Sequence, residues 1–128
     1  MFDWLKRKPP LRGAPEVRRL KTYQSETGYV YQYYYDGWCP AQGGREFVFM
    51  ATAERGPYRA VAIAIPDAAV KAWEAVRGRE LLSAEQHAVA KMALFHAFDE
   101  TPPQELTRAP VRVDATRVEE FLQRLGRD

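Results

Sequence analysis

The sequence predicts an α+β fold: an antiparallel meander of three to four strands followed by three helices, with the helices packed mainly on one sheet face. The expected order is β-β-β-α-α-(β)-α. Three observations predict it. Residues 29–35 read Tyr-Val-Tyr-Gln-Tyr-Tyr-Tyr, a run of β-formers with side chains alternating between two faces. Two further runs with the same period follow within thirty residues, separated by glycine- and proline-containing turns. After Pro66 the apolar spacing changes to that of a helix and remains helical over most of the chain that follows.

The first strand region begins after Val17. Tyr23 and Val30 to Tyr35 are strand residues punctuated by Ser25-Glu26-Thr27-Gly28, as in a tight hairpin or one bent strand. Asp36-Gly37 reads as a turn, with Pro40 and Gly43-Gly44 closing a nine-residue connection. The second strand runs from Glu46 to Thr52, and Arg55-Gly56-Pro57 turns into a third from Tyr58 to Ile65. In that third strand Val61, Ile63 and Ile65 form one face, and Ala60, Ala62 and Ala64 the other. Short polar turns between sequential strands imply an antiparallel meander, too short to close into a barrel.

Pro66-Asp67 suits a helix start, and Ala69, Val70, Trp73 and Val76 make a stripe that Gly78 ends. Ser83 and Gln86 have the spacing of a capping box, opening a long helix to about Asp99. That helix is apolar around its whole circumference, the pattern of an element buried from two directions. One direction is the sheet; the other is a neighbouring helix or a second subunit. Thr101-Pro102-Pro103 ends it, Val111 to Val113 is a short edge strand, and Asp114 caps a last helix with the stripe Val118, Phe121, Leu122 and Leu125.

At 128 residues the chain is long enough for one domain with its own core. Residues 1–21 carry seven Lys and Arg against two acids, whereas the whole chain is only +2. The organisation is therefore a basic, flexible arm over 1–15 and a single mildly acidic α+β domain over 16–128. The charge alone does not imply a nucleic-acid partner. No apolar run reaches the ~20 residues of a bilayer span. Phe2, Trp4 and Leu5 ahead of three cations allow contact of residues 1–8 with an anionic membrane surface, but Pro9-Pro10 limits any helix there to two turns. One cysteine excludes an intramolecular disulfide and a thiolate metal cluster, which favours the cytoplasm.

Several constellations invite chemistry. Trp38-Cys39-Pro40 lacks the resolving cysteine and following helix of a thiol-redox site. Gly37 and Gly43-Gly44-Arg45 precede a strand, not the helix that a phosphate loop requires. His96, Asp99 and Glu100 share one turn and form a possible polar cluster, the starting point for a small hydrolase or metal-dependent enzyme. The bland alternative is a half-buried histidine satisfied by a helix-end carboxylate. No catalytic residue, metal or cofactor is assigned.

The candidate binding set is Tyr29, Tyr31, Tyr33 and Tyr35 on one strand face, with Arg45 and Arg59 beside it. Tyrosine stripes pack under helices, line protein contacts, or stack bases of single strands. The leading expectation is a non-enzymatic module that self-associates as a dimer or binds a protein through the aromatic sheet face or the apolar helix. Single-stranded nucleic-acid binding through the tyrosines and the basic arm is the alternative.

Overall fold

In a computed structural model the chain is described over residues 10–126, so membrane contact by residues 1–8 lies outside the described residues. The strands are β1 (Lys21–Gln24), β2 (Val30–Ala41), β3 (Gly44–Ala53), β4 (Arg59–Pro66) and β5 (Val111–Arg112). The helices among the described residues are α1 (Asp67–Arg77), α2 (Ser83–Glu100) and α3 (Ala115–Arg124), with a 3-10 turn at Pro103–Glu105. The five strands lie side by side in chain order. The first four are antiparallel, and β5 runs parallel to β4 because the helices intervene between them. The fold class is thus α+β as the sequence predicts, with β1 and β5 widening the meander to five strands. None of the helices among the described residues is long and apolar enough to cross a membrane.

Alternation places Tyr31, Tyr33, Phe47, Phe49, Ala51, Val61, Ile63 and Ile65 in the core under the helices. The register aligns Tyr33 with Ala51 and Arg59, and Tyr35 with Phe49 and Val61. The large Tyr35 ring on β2 thus shares its row with the smaller, branched Val61 on β4. Helix α2 buries Val89, Ala90, Ala93, Leu94, Ala97 and Phe98. It packs against the sheet and against α3, so its second direction of burial is a helix of the same chain.

Two local readings are corrected. Asp36-Gly37 is a bulge inside β2, not a turn: the pairing with β3 shifts between Tyr35 and Gly37, then continues through Trp38, Cys39 and Pro40. The reversal is the two-residue turn Gln42-Gly43, with Gly43 at φ 78°. Turn chemistry and bulge chemistry share the same requirement for positive φ, which Gly37 meets at 128°. The bulge also makes room for the preceding segment. Arg12 donates to the Trp38 carbonyl at 2.7 Å and accepts from the Trp38 N–H at 2.9 Å. The second correction concerns α2, whose start is one residue earlier than the Ser83–Gln86 spacing implies. Leu82 occupies the cap position, and Glu85 accepts its N–H at 3.0 Å while pairing in two-pronged fashion with Arg79.

The other helix signals hold. Gly78 ends α1 at φ 71°, and the Asp114 carboxylate accepts the Arg117 N–H at 2.9 Å. Val76, expected in the α1 stripe, is 85% exposed, because α1 turns only Ala69 and Trp73 fully inward. Between α1 and α3, Glu119 accepts from Trp73 Nε1 at 2.8 Å, Gln123 Nε2 at 2.8 Å and the Arg77 guanidinium. These donors, Arg77 first, hold its carboxyl down at about 2, from an ordinary 4.5. A depressed carboxyl contributes stability that is complete above pH 4.5 and is lost as pH falls toward 2. Glu119→Gln is expected to cost about 1–2 kcal/mol at neutral pH. Urea unfolding from pH 7 to 3 should show a shallower acid loss for the variant; parallel curves would remove Glu119 from that role.

Candidate functional site

The tyrosine face is divided by the fold. Tyr31 and Tyr33 are buried, Tyr31 stacked on Phe98 with ring centres 4.0 Å apart. Tyr29 is half-buried beside Tyr31 at the turn end of β2. Tyr35 is half-buried at the other end, edge-on to His87 at 4.5 Å. The two arginines are separated as well. Arg45 lies over Trp38 at 4.2 Å, whereas Arg59 is exposed on β4, two strands away from Tyr33. The six residues are thus dispersed: Tyr33 and Tyr35 line one cavity, Tyr31 and Arg59 border another, Tyr29 lies beside Tyr31, and Arg45 lies over Trp38 outside both.

The first cavity, of about 220 Å³, lies between segment 15–21, β2 and α2. Tyr33, Tyr35 and Phe49 form its apolar wall, and Arg19, Lys21, His87 and Lys91 its polar one. Each group has a local reason to be there. His87 and Lys91 are one helical turn apart on α2, so they share a face. Lys21 opens β1 opposite Tyr33, which carries its side chain to the same side. Among the described residues no carboxylate pairs with Lys21 or Lys91.

Electrostatics follow from that crowding. Side-chain contact with Lys21, then burial, pulls Lys91 down to about 8. Burial, with Lys91 and Lys21 behind it, also lowers His87, which favours its neutral form. Burial raises Tyr35 to about 12 against the opposing effect of Arg45. The site is therefore a cationic recess with protonated phenols and a neutral imidazole. Further cations stack on rings of β2 outside the recess. Arg12 and Arg45 both stack on Trp38, and Arg18 covers Tyr34 at 5.1 Å while bonding Asp36 at 2.9 Å.

The His96 cluster is not assembled. Asp99 accepts the Tyr23 hydroxyl at 2.7 Å and the Glu26 N–H at 2.9 Å, fastening the end of α2 to the β1–β2 turn. His96 points to the other side, 6.1 Å from the Phe121 ring, and Glu100 is exposed. No group of three potential metal ligands is placed for an ion among the described residues. Cys39 is buried within β2.

Sequence reasoning missed Lys21, His87 and Lys91 as one site. The i, i+4 relation of His87 and Lys91 was visible, but Lys21 is sixty-six residues from His87 and meets it only through the β1–β2 hairpin. Comparison with known proteins gave no match to any family, curated protein or solved structure.

Proposed function

We propose that the protein is a cytoplasmic, non-catalytic binding module whose site is the cavity between segment 15–21, β2 and α2, and whose ligand bears a phosphate group. One observation carries the reading: Lys21 and Lys91 line the same cavity with their side chains in contact, and no carboxylate among the described residues pairs with either. Two like charges held together without a counter-ion raise the free energy of the empty site, and an anion relieves it. Arg19 adds a third cation, and the tyrosine wall limits water. A phosphate ester and a nucleic-acid backbone offer the same chemistry.

Lys91 faces Lys21, His87, Arg19 and Tyr35 and no acid among the cavity's walls. An anion beside it favours the charged form, so binding near pH 8 should draw a proton from solution. Calorimetry at pH 8 with inorganic phosphate, in two buffers of different ionisation heat, should reveal that uptake. Single-stranded oligo(dT) forms the second arm, and its binding should fall steeply with salt. Lys91→Ala is expected to weaken either ligand about tenfold. If neither phosphate nor oligo(dT) binds at low salt, the reading fails.

A second reading is self-association through the outer sheet face, which no helix covers. It is favoured by exposed Val30 and Tyr58 beside Tyr34, whose ring lies 5.6 Å from that of Tyr58. Light scattering should then give a dimer that Tyr58→Lys dissociates; a monomer at high micromolar concentration removes it.

A further inference from the structure

The cavity between segment 15–21, β2 and α2 holds a group that can do more than attract an anion. Lys91 is half-buried in its wall, one helical turn after the half-buried His87. Lys21 is exposed at its edge, with its side chain against that of Lys91. Every element around Lys91 presents a cation or a neutral group. Segment 15–21 brings Arg19, β1 brings Lys21, β2 the phenols of Tyr33 and Tyr35, and α2 His87. Asp36, the acid on β2, is engaged by Arg18 at 2.9 Å. No carboxylate among the described residues pairs with Lys21 or Lys91.

A primary amine is nucleophilic only when unprotonated. A cation in contact and partial burial both oppose a second positive charge, so these surroundings favour the neutral amine. They hold Lys91 down at about 8. An ordinary exposed lysine is only about 0.1% neutral at pH 7.4. The same surroundings favour a negative product. An amine that takes up carbon dioxide becomes a carbamate, which replaces one of two crowded cations by an anion beside the other. The Lys91 Nζ lone pair bonds to the carbon of carbon dioxide, and one C–O π pair moves onto oxygen. The proton released from nitrogen passes to solvent, so one amine and one carbon dioxide give one carbamate anion and one proton, with no change of oxidation state.

We infer that Lys91 is a site of reversible carbamate formation with carbon dioxide, the carbamate anion being held in this cavity by Lys21 and Arg19. The carbamate draws on the same cations as the proposed phosphate site, so it rests on that reading of the cavity, and bound phosphate competes with it.

The test is carbon-13 NMR of the full chain in labelled bicarbonate at pH 8, followed by ethylation with triethyloxonium and peptide mass spectrometry to locate the trapped group. Trapping at Lys91 should exceed that at Lys71, exposed on α1, by about tenfold or more. Lys91→Arg keeps the charge and should abolish the signal. Lys21→Gln removes both the cation that keeps the amine neutral and the partner of the carbamate, so trapping should fall severalfold. Saturating inorganic phosphate should suppress it in the parent protein. Phosphate binding without trapping at Lys91 would overturn the carbamate and leave the phosphate site standing, whereas trapping without phosphate binding would do the reverse. Trapping spread evenly over Lys71 and Lys91, or indifferent to Lys21→Gln and to bound phosphate, would also overturn the assignment.

Discussion

Phe98→Ala is expected to destabilise the domain by about 3–5 kcal/mol, the range for removing a fully buried aromatic ring. Phe98 has 0% exposure and sits where the sheet and α2 meet. Its ring stacks on Tyr31 at 4.0 Å and lies 5.7 Å from Tyr23 and 6.0 Å from Tyr33. Truncation therefore loses transfer free energy, three aromatic contacts, and the filler of a space between rigid rings that cannot collapse. A domain of this size has roughly 5–15 kcal/mol in total, so the variant should be marginal at 37 °C. Phe95→Ala is the control. Phe95 stacks on Tyr23 at 4.5 Å but is only half-buried, so its loss should be clearly smaller. Urea midpoints of the two variants decide the matter, and a Phe98→Ala cost no larger than that of Phe95→Ala would refute this view of the core.

That centre was legible in the sequence in part. The alternation of Tyr29 to Tyr35 shows which side chains share a face, because strand period two is a property of the backbone. It does not show which face is covered. Tyr31 and Tyr33 lie under α2 because α2 buries Phe98 and Ala97 against them, and that choice depends on contacts far apart in the chain. Helix ends were legible for the same local reason: Gly78 and Asp114 act within one turn of themselves. Asp36-Gly37 misled because positive φ at glycine serves a bulge as well as a turn. What distinguishes the two is non-local: the pairing with β3 that continues beyond Gly37, and the bridge from Arg12 to Trp38, twenty-six residues away. The candidate sites were least legible of all. Lys21 and Lys91 come from a strand and a helix seventy residues apart and line one cavity only once the β1–β2 hairpin and α2 are packed together.

The second large effect is expected at Gly44, a residue whose glycine pair invites a phosphate-loop reading that the following strand excludes. A Cβ here would press on the Ile65 carbonyl oxygen and lie 2.7 Å from Pro66 Cα and 3.1 Å from the Asp67 nitrogen. All three are backbone atoms at the junction of β4 and α1, paired with β3 on one side. The adjoining Gly43 carbonyl also accepts the Asp67 N–H at 2.7 Å, so neither chain can retreat without losing that bond. Gly44→Ala should therefore cost about 2–3 kcal/mol, the upper part of the range for overpacking. Gly78→Ala separates this cause from the usual one for glycine. Gly78 has φ 71° with nothing within 4 Å of a Cβ, so its substitution costs only left-handed strain, about 1 kcal/mol. Gly44 has no such strain, and its requirement is close approach. If Gly44→Ala is no more destabilising than Gly78→Ala, the β3–β4–α1 junction is looser than these distances imply. Because the phosphate cavity lies at Lys21 and Lys91, folded Gly44→Ala should bind phosphate as the parent does. A selective loss of phosphate affinity with unchanged stability would instead return the glycine turn to the list of anion sites.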